Sequence, residues 1–164
     1  MATPIPAKAV LEFTPRPRTL PLDAMNLVQL IYVSRPFGFD QAALNGILSQ
    51  SRRCNTRDGV TGALICRSDI YLQLLEGTVE ALDATYERIV ADDRHLEINR
   101  LSYQAITERL FPAWAMRSDP ARSWMWSPAE VANGAVAEST QKQLIGIFER
   151  LAAEPAEGAS LSAV

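Results

Sequence analysis

Ile70-Tyr71-Leu72-Gln73-Leu74-Leu75-Glu76-Gly77 reads as a buried strand with one carboxamide in its middle. Gln73 has two donor hydrogens and two acceptor lone pairs to satisfy. Leaving such a group unpaired in an apolar setting costs about 1–3 kcal/mol. A structural glutamine bonded to backbone is the plain explanation. A second run of the same kind, Leu27-Val28-Gln29-Leu30-Ile31-Tyr32-Val33, puts Tyr32 where an aliphatic side chain would be easier to bury. Two strands that each present one hydrogen-bonding side chain suggest a site.

The elements around these strands alternate. A strand over 27–34 ends in the turn Arg35-Pro36-Phe37-Gly38, and a helix over about 40–53 follows, with Asp40 as N-cap and Leu44, Ile47, Leu48 and Ser51 on one stripe. Asn55-Thr56-Arg57-Asp58-Gly59 has loop chemistry. Strands over 60–66 and 70–76 meet at Arg67-Ser68-Asp69, a hairpin signal without glycine. A second helix over 79–92 turns Leu82, Tyr86, Ile89 and Val90 inward. Strands are expected at 98–107 and 113–117, and Arg117-Ser118-Asp119-Pro120 reads as the turn that closes the domain. Ser127-Pro128-Ala129-Glu130 is a capping box with Pro in the first turn. A last amphipathic helix over about 138–153 aligns Leu144, Ile147, Phe148 and Leu151.

Strand-helix-strand-strand-helix-strand is the split βαβ order of an α+β, ferredoxin-like βαββαββ sheet. Its two helices lie on one face and the C-terminal helices are expected to cover the other. In that topology the first and third strands are central neighbours, which brings Tyr32 within reach of Gln73. The expected organisation is an irregular extension over 1–25, holding five of the ten prolines, a domain over 26–120, a helical cap over 121–153 and a flexible tail over 154–164.

Bulk properties narrow the function. The 164 residues are 48% hydrophobic and 21% charged, an ordinary globular balance, with a net charge of -3 that argues against nucleic acid as partner. No apolar stretch approaches the roughly 20 residues of a membrane span, and the N-terminus has no secretory h-region. A reducing cytoplasm is the expected setting, with Cys54 and Cys66 too few for a disulfide scaffold and without metal-ligand spacing. One histidine, His95, excludes a His-rich metal site.

With Tyr32 and Gln73 placed, further residues fall in one order: Asn55, Gly59-Val60-Thr61-Gly62, Glu76-Gly77, Arg88 to Arg94-His95, and Trp114-Ala115-Met116. The chain resembles, over about residues 26–120, the BLUF family of sensors of blue light using FAD. No single motif carries the match; the joint order does. The resemblance implies a flavin held between the two helices, with Ile47 and Ile89 against its ring faces, although plain core packing predicts the same burial of both. It implies Asn55 on the carbonyl and imide edge, where an Asx turn next to Asp58-Gly59 is the competing explanation, and Arg88 on the other ring carbonyl. Asp92 and His95 would lie near the polar end of the ring, His95 being equally explicable as a cation at a helix C-terminus. Cys54 stands where several members carry Asn or His.

The resemblance further implies that Gln73 bridges Tyr32 to the flavin, that light moves an electron and a proton from Tyr32, and that Gln73 then changes orientation or tautomer. Ser34, two residues on from Tyr32, is expected to support this network. Trp114 and Met116, on one face of the fifth strand, would carry the readout. FAD is the implied cofactor, and FMN or riboflavin would present the same ring. The chain would then be a short stand-alone sensor and not an enzyme, acting through a separate signalling protein or a homo-oligomer. The output surface is placed at Trp124-Met125-Trp126 and the last helix, with cover for the open sheet face as the alternative role. Two enzyme readings compete: an acylphosphatase-like enzyme using Arg52, Arg53 and Asn55, which lacks a Gly-rich anion loop, and a flavin oxidoreductase, which lacks a nicotinamide fingerprint. A flavin-free binding or assembly module is a third.

Overall fold

A computed structural model describes residues 26–156. The expected N-terminal extension and most of the expected tail lie outside these residues. The order is β1 (Leu27–Pro36), α1 (Gln41–Asp58), β2 (Thr61–Arg67), β3 (Ile70–Thr78), α2 (Val79–Val90), β4 (His95–Ala105), β5 (Arg117–Pro120), α3 (Pro128–Ala132), α4 (Ala135–Glu138) and α5 (Gln141–Ala153). The five strands form one sheet in the order β4-β1-β3-β2-β5. Only the β2–β5 pair is parallel; β1 pairs antiparallel with β3 and β4, and β2 with β3. This is the ferredoxin-like arrangement, with β1 and β3 adjacent as the sequence order requires.

Alternation along the strands sorts side chains onto two faces. Leu30 and Tyr32 of β1, with Leu64 and Leu75, pack against Leu44, Ile47 and Leu48 of α1 and Leu82 of α2. Ile31, Ala63, Ile65, Leu72 and Leu74 point the other way and meet Phe111 and the stripe Leu144, Phe148 and Leu151 of α5. The last helix therefore covers the second face, as expected. Met125 and Trp126 pack against the same cluster, so two members of the aromatic linker serve as cover. Trp124 lies under the guanidinium of Arg150, 4.3 Å from its ring centre.

Several boundaries differ from the sequence expectation, among them β4, which spans His95–Ala105 against the expected 98–107. The first helix does not end at 53 but runs to Asp58, so Asn55 is helical. Its Asn-Thr-Arg-Asp-Gly ending is turn-prone in composition. The helix continues because Gly59 closes it at φ 68, a left-handed conformation that suits glycine, with its N–H on the Asn55 carbonyl. The fifth strand is not 113–117: Arg117-Ser118-Asp119-Pro120, read as a turn, is the strand, and residues 113–116 precede it. Arg117 and Asp119 look like turn residues in sequence, yet two positions apart on a strand they share one face. They form a buried ion pair there at 2.7 Å. Arg117 also donates to the Glu154 carbonyl just beyond α5, at 3.0 Å. Finally, the last helix starts at Gln141, with Thr140 as N-cap and Gln143 completing a capping box.

Candidate functional site

The β1–β3 register sets Tyr32 directly opposite Gln73. Both side chains are buried on the α1–α2 face, and the Tyr32 hydroxyl donates to Gln73 Oε1. Burial raises the Tyr32 pKa above that of an ordinary phenol, and Tyr86, Asp92 and Tyr71 act in the same direction. The other end of the carboxamide, Nε2, donates to Met116 Sδ at 3.2 Å. Gln73 is thus held by an unequal pair, a hydroxyl donor on its oxygen and a weak sulfur acceptor on its amide.

All eight residues expected to contact a cofactor line one cleft between α1 and α2: Tyr32, Ile47, Asn55, Gln73, Arg88, Ile89, Asp92 and His95. Ile47 enters from the apolar stripe of α1 and Ile89 from α2. Asn55, in the last turn of α1 instead of an Asx turn, donates from Nδ2 to the Ala115 carbonyl at 2.8 Å. Arg88 uses Nη2 to reach Asp58 at 2.9 Å and Thr85 Oγ1 at 3.0 Å. Arg57 first, and Arg88 with it, hold the half-buried Asp58 carboxyl down to about 2. Asp92 pairs with Arg94 at 2.6 Å, which lowers its pKa. The Arg94 guanidinium continues to Gln50 Oε1 on α1, also at 2.6 Å.

His95 is not a cation at a helix end. It is the first residue of β4, buried, with Nδ1 2.9 Å from Ser34 Oγ. Burial lowers its pKa. Ser34 therefore supports the Tyr32–Gln73 pair only indirectly: its hydroxyl meets His95, whose ring meets Tyr32 edge-on at 6.2 Å. Trp114 and Met116 separate. Met116 is buried against Gln73, whereas Trp114 is 40% exposed.

Several residues of the site have no distinctive pattern in the sequence. Tyr86, expected only as an inward helix residue, stacks edge-on at 5.9 Å against Tyr32. Arg52 donates to the Met116 carbonyl at 3.1 Å, fixing the segment from α1. On the other face of the sheet, behind the site, Glu76 binds the backbone N–H groups of Leu110 and Phe111, at 2.7 and 3.0 Å. These partners lie 34 and 35 residues away and are main-chain groups, which no side-chain motif announces.

The chemistry of the cleft is that of a binding module for a flat heteroaromatic ring. Aliphatic walls come from two helices. Carboxamides, a guanidinium and a phenol supply both donors and acceptors, which suits a ring edge that alternates carbonyl and imide groups. That donor set fits a flavin. Comparison with known proteins agrees: the model of the family described as "BLUF: Sensors of blue-light using FAD" matches residues 27–117. The photoactivated adenylate cyclase subunit beta of Euglena gracilis is 30% identical over 110 residues, which cover 65% of this chain and 13% of that protein. Among solved structures, "BlrB - a BLUF protein, dark state structure" superposes with a TM-score of 0.65 at 30% identity, over 78% of this chain and 96% of that one. A bacterial light-regulated adenylyl cyclase gives 0.57 at 29% identity, over 76% of this chain and 36% of its own.

The chain belongs to the BLUF family, whose function is blue-light sensing and whose cofactor is FAD. Among the described residues, no helix is long and apolar enough to cross a membrane.

Proposed function

We propose that this cleft holds the flavin ring between Ile47 and Ile89, with Asn55 and Arg88 on its polar edges, Gln73 and Tyr32 at the reacting edge, and Asp92 and His95 at the polar end. The bound flavin supplies blue-light absorption and, once excited, a strong electron acceptor. Tyr32 gives up an electron and, through its hydroxyl bond to Gln73, a proton. Both return to Tyr32, so no redox equivalent is consumed. Gln73 is left with its carboxamide rotated or tautomerised, and the hydrogen-bond network around it differs from the dark one. A carboxamide suits this task because its two ends differ in hydrogen-bond sense. Burial keeps the Tyr32 hydroxyl protonated in the dark and aimed at Gln73, its one route for a proton. Ser34 and His95 hold the neighbouring wall. Met116 registers the change and Trp114 lies on the outer side of the same segment.

The observation that carries this reading is the direct bond between Tyr32 and Gln73 at the floor of the cleft. The chain on this reading is a sensor and not a catalyst, with residues 26–120 as the sensory unit and 121–153 as the element that passes the signal on. Its partner is a separate signalling protein or a second copy, in a cytoplasmic setting. FMN or riboflavin would satisfy the same ring contacts. The test is illumination of the flavin-loaded protein. Blue light is expected to give a small, reversible red shift of the flavin band without bleaching. Bleaching, or protein that stays colourless with ample flavin, contradicts the reading.

A further inference from the structure

Glu76 is fully buried on the apolar α5 face of the sheet, a setting that disfavours an ionisable side chain. Its two oxygens act only as acceptors. Oε1 takes the Leu110 N–H and the Gln29 Nε2–H at 3.0 Å, and Oε2 takes the Phe111 N–H. From there the bonds continue in one sense across the sheet. Gln104 Nε2 on β4 donates to Gln29 Oε1 at 3.2 Å, and Gln141 Nε2 donates to Gln104 Oε1 at 2.8 Å and to Ser102 Oγ at 3.0 Å. Gln141 is the first residue of α5. The relay thus starts on the segment that delivers Met116 to Gln73 and ends on the first turn of the last helix.

Each glutamine could in principle turn its amide over. The carboxylate at one end accepts only, so it forces Gln29 to present nitrogen, and Gln29 then imposes the same sense on Gln104 and Gln141. Such a chain strengthens cooperatively in a low-dielectric interior, and a loss at one end weakens the rest. A second contact runs alongside it: the Phe111 ring meets Phe148 of α5 edge-on at 6.4 Å. A small polar change needs an element with two arrangements to be read out. Beside the buried Leu144, the first turn of α5 is tied to β4 by one exposed glutamine, through Gln104 and Ser102.

We propose that the relay Glu76–Gln29–Gln104–Gln141 couples the 110–116 segment to the first turn of α5, so that rearrangement of Gln73 loosens that turn. The inference rests on the photochemical reading above, and its test separates the two. Backbone hydrogen exchange over residues 141–148 is measured in darkness and under blue light, together with the flavin absorption band. In the unmodified protein, light is expected to speed exchange there roughly tenfold, the signature of local opening. Gln141→Ala, an exposed position, is expected to keep the red shift and lose the light–dark difference in exchange. Gln143→Ala, which removes the capping box but leaves the relay intact, is expected to keep both. A light–dark difference that persists in Gln141→Ala overturns the relay, as does a normal red shift with unchanged exchange in the unmodified protein. Absence of any red shift overturns the photochemical reading and the relay with it.

Discussion

The two faces of the sheet are built to different rules. The α5 face is a close-packed set of aliphatic and phenyl side chains, with its polar groups gathered into the Glu76–Gln141 seam and the Arg117–Asp119 pair. The α1–α2 face sets Tyr32, Gln73, Ser34 and His95 among its apolar residues. Polar groups cost stability when buried and are kept where they are paired or used. The α5 face therefore holds the fold together, and the α1–α2 face gives up packing to hold a hydrogen-bond network that can rearrange.

The largest expected effect comes from breaking the apolar face. Phe148→Ala removes a fully buried ring and is expected to cost about 3–5 kcal/mol of folding stability, measured by denaturant unfolding. The folded fraction should still show the light-induced red shift; its loss would mean that the faces do not divide the work this way. Tyr32→Phe breaks the polar face instead. Removing one hydroxyl and leaving Gln73 Oε1 short of a donor is expected to cost only about 1–2 kcal/mol. Flavin should still bind, and the red shift should vanish.

A smaller effect sharpens the comparison through pH. His95 is buried with a depressed pKa, so the folded state favours the neutral ring. Its contribution to stability is present above the ordinary histidine value of 6.5 and is lost as pH falls from there through the lower folded pKa. Thermal melting between pH 8 and pH 5 should fall more steeply in the unmodified protein than in His95→Gln. Parallel profiles would contradict the assignment.

Much of this was readable in the sequence because it rests on periodicity. Alternating strands, the apolar stripes of the helices and the split βαβ order together placed β1 beside β3, and with them Tyr32 beside Gln73. The last helix carried its own capping box and stripe. What escaped depends on partners distant in sequence. Arg117 and Asp119 read as a turn because their mutual pairing across a strand pleat is invisible without the β2 neighbour. Asn55 read as a loop residue because its carboxamide is satisfied by the Ala115 carbonyl, 60 residues on. The bond of Ser34 to His95 was not legible either, since it goes across to β4 and not along β1.

The most direct test of the central claim is Gln73→Leu. Leucine keeps the strand and much of the side-chain volume but has no hydrogen-bonding group to rearrange. The variant is expected to bind flavin, remain yellow and show no red-shifted state under blue light. A normal, reversible red shift in Gln73→Leu would contradict the account, whatever the behaviour of its neighbours.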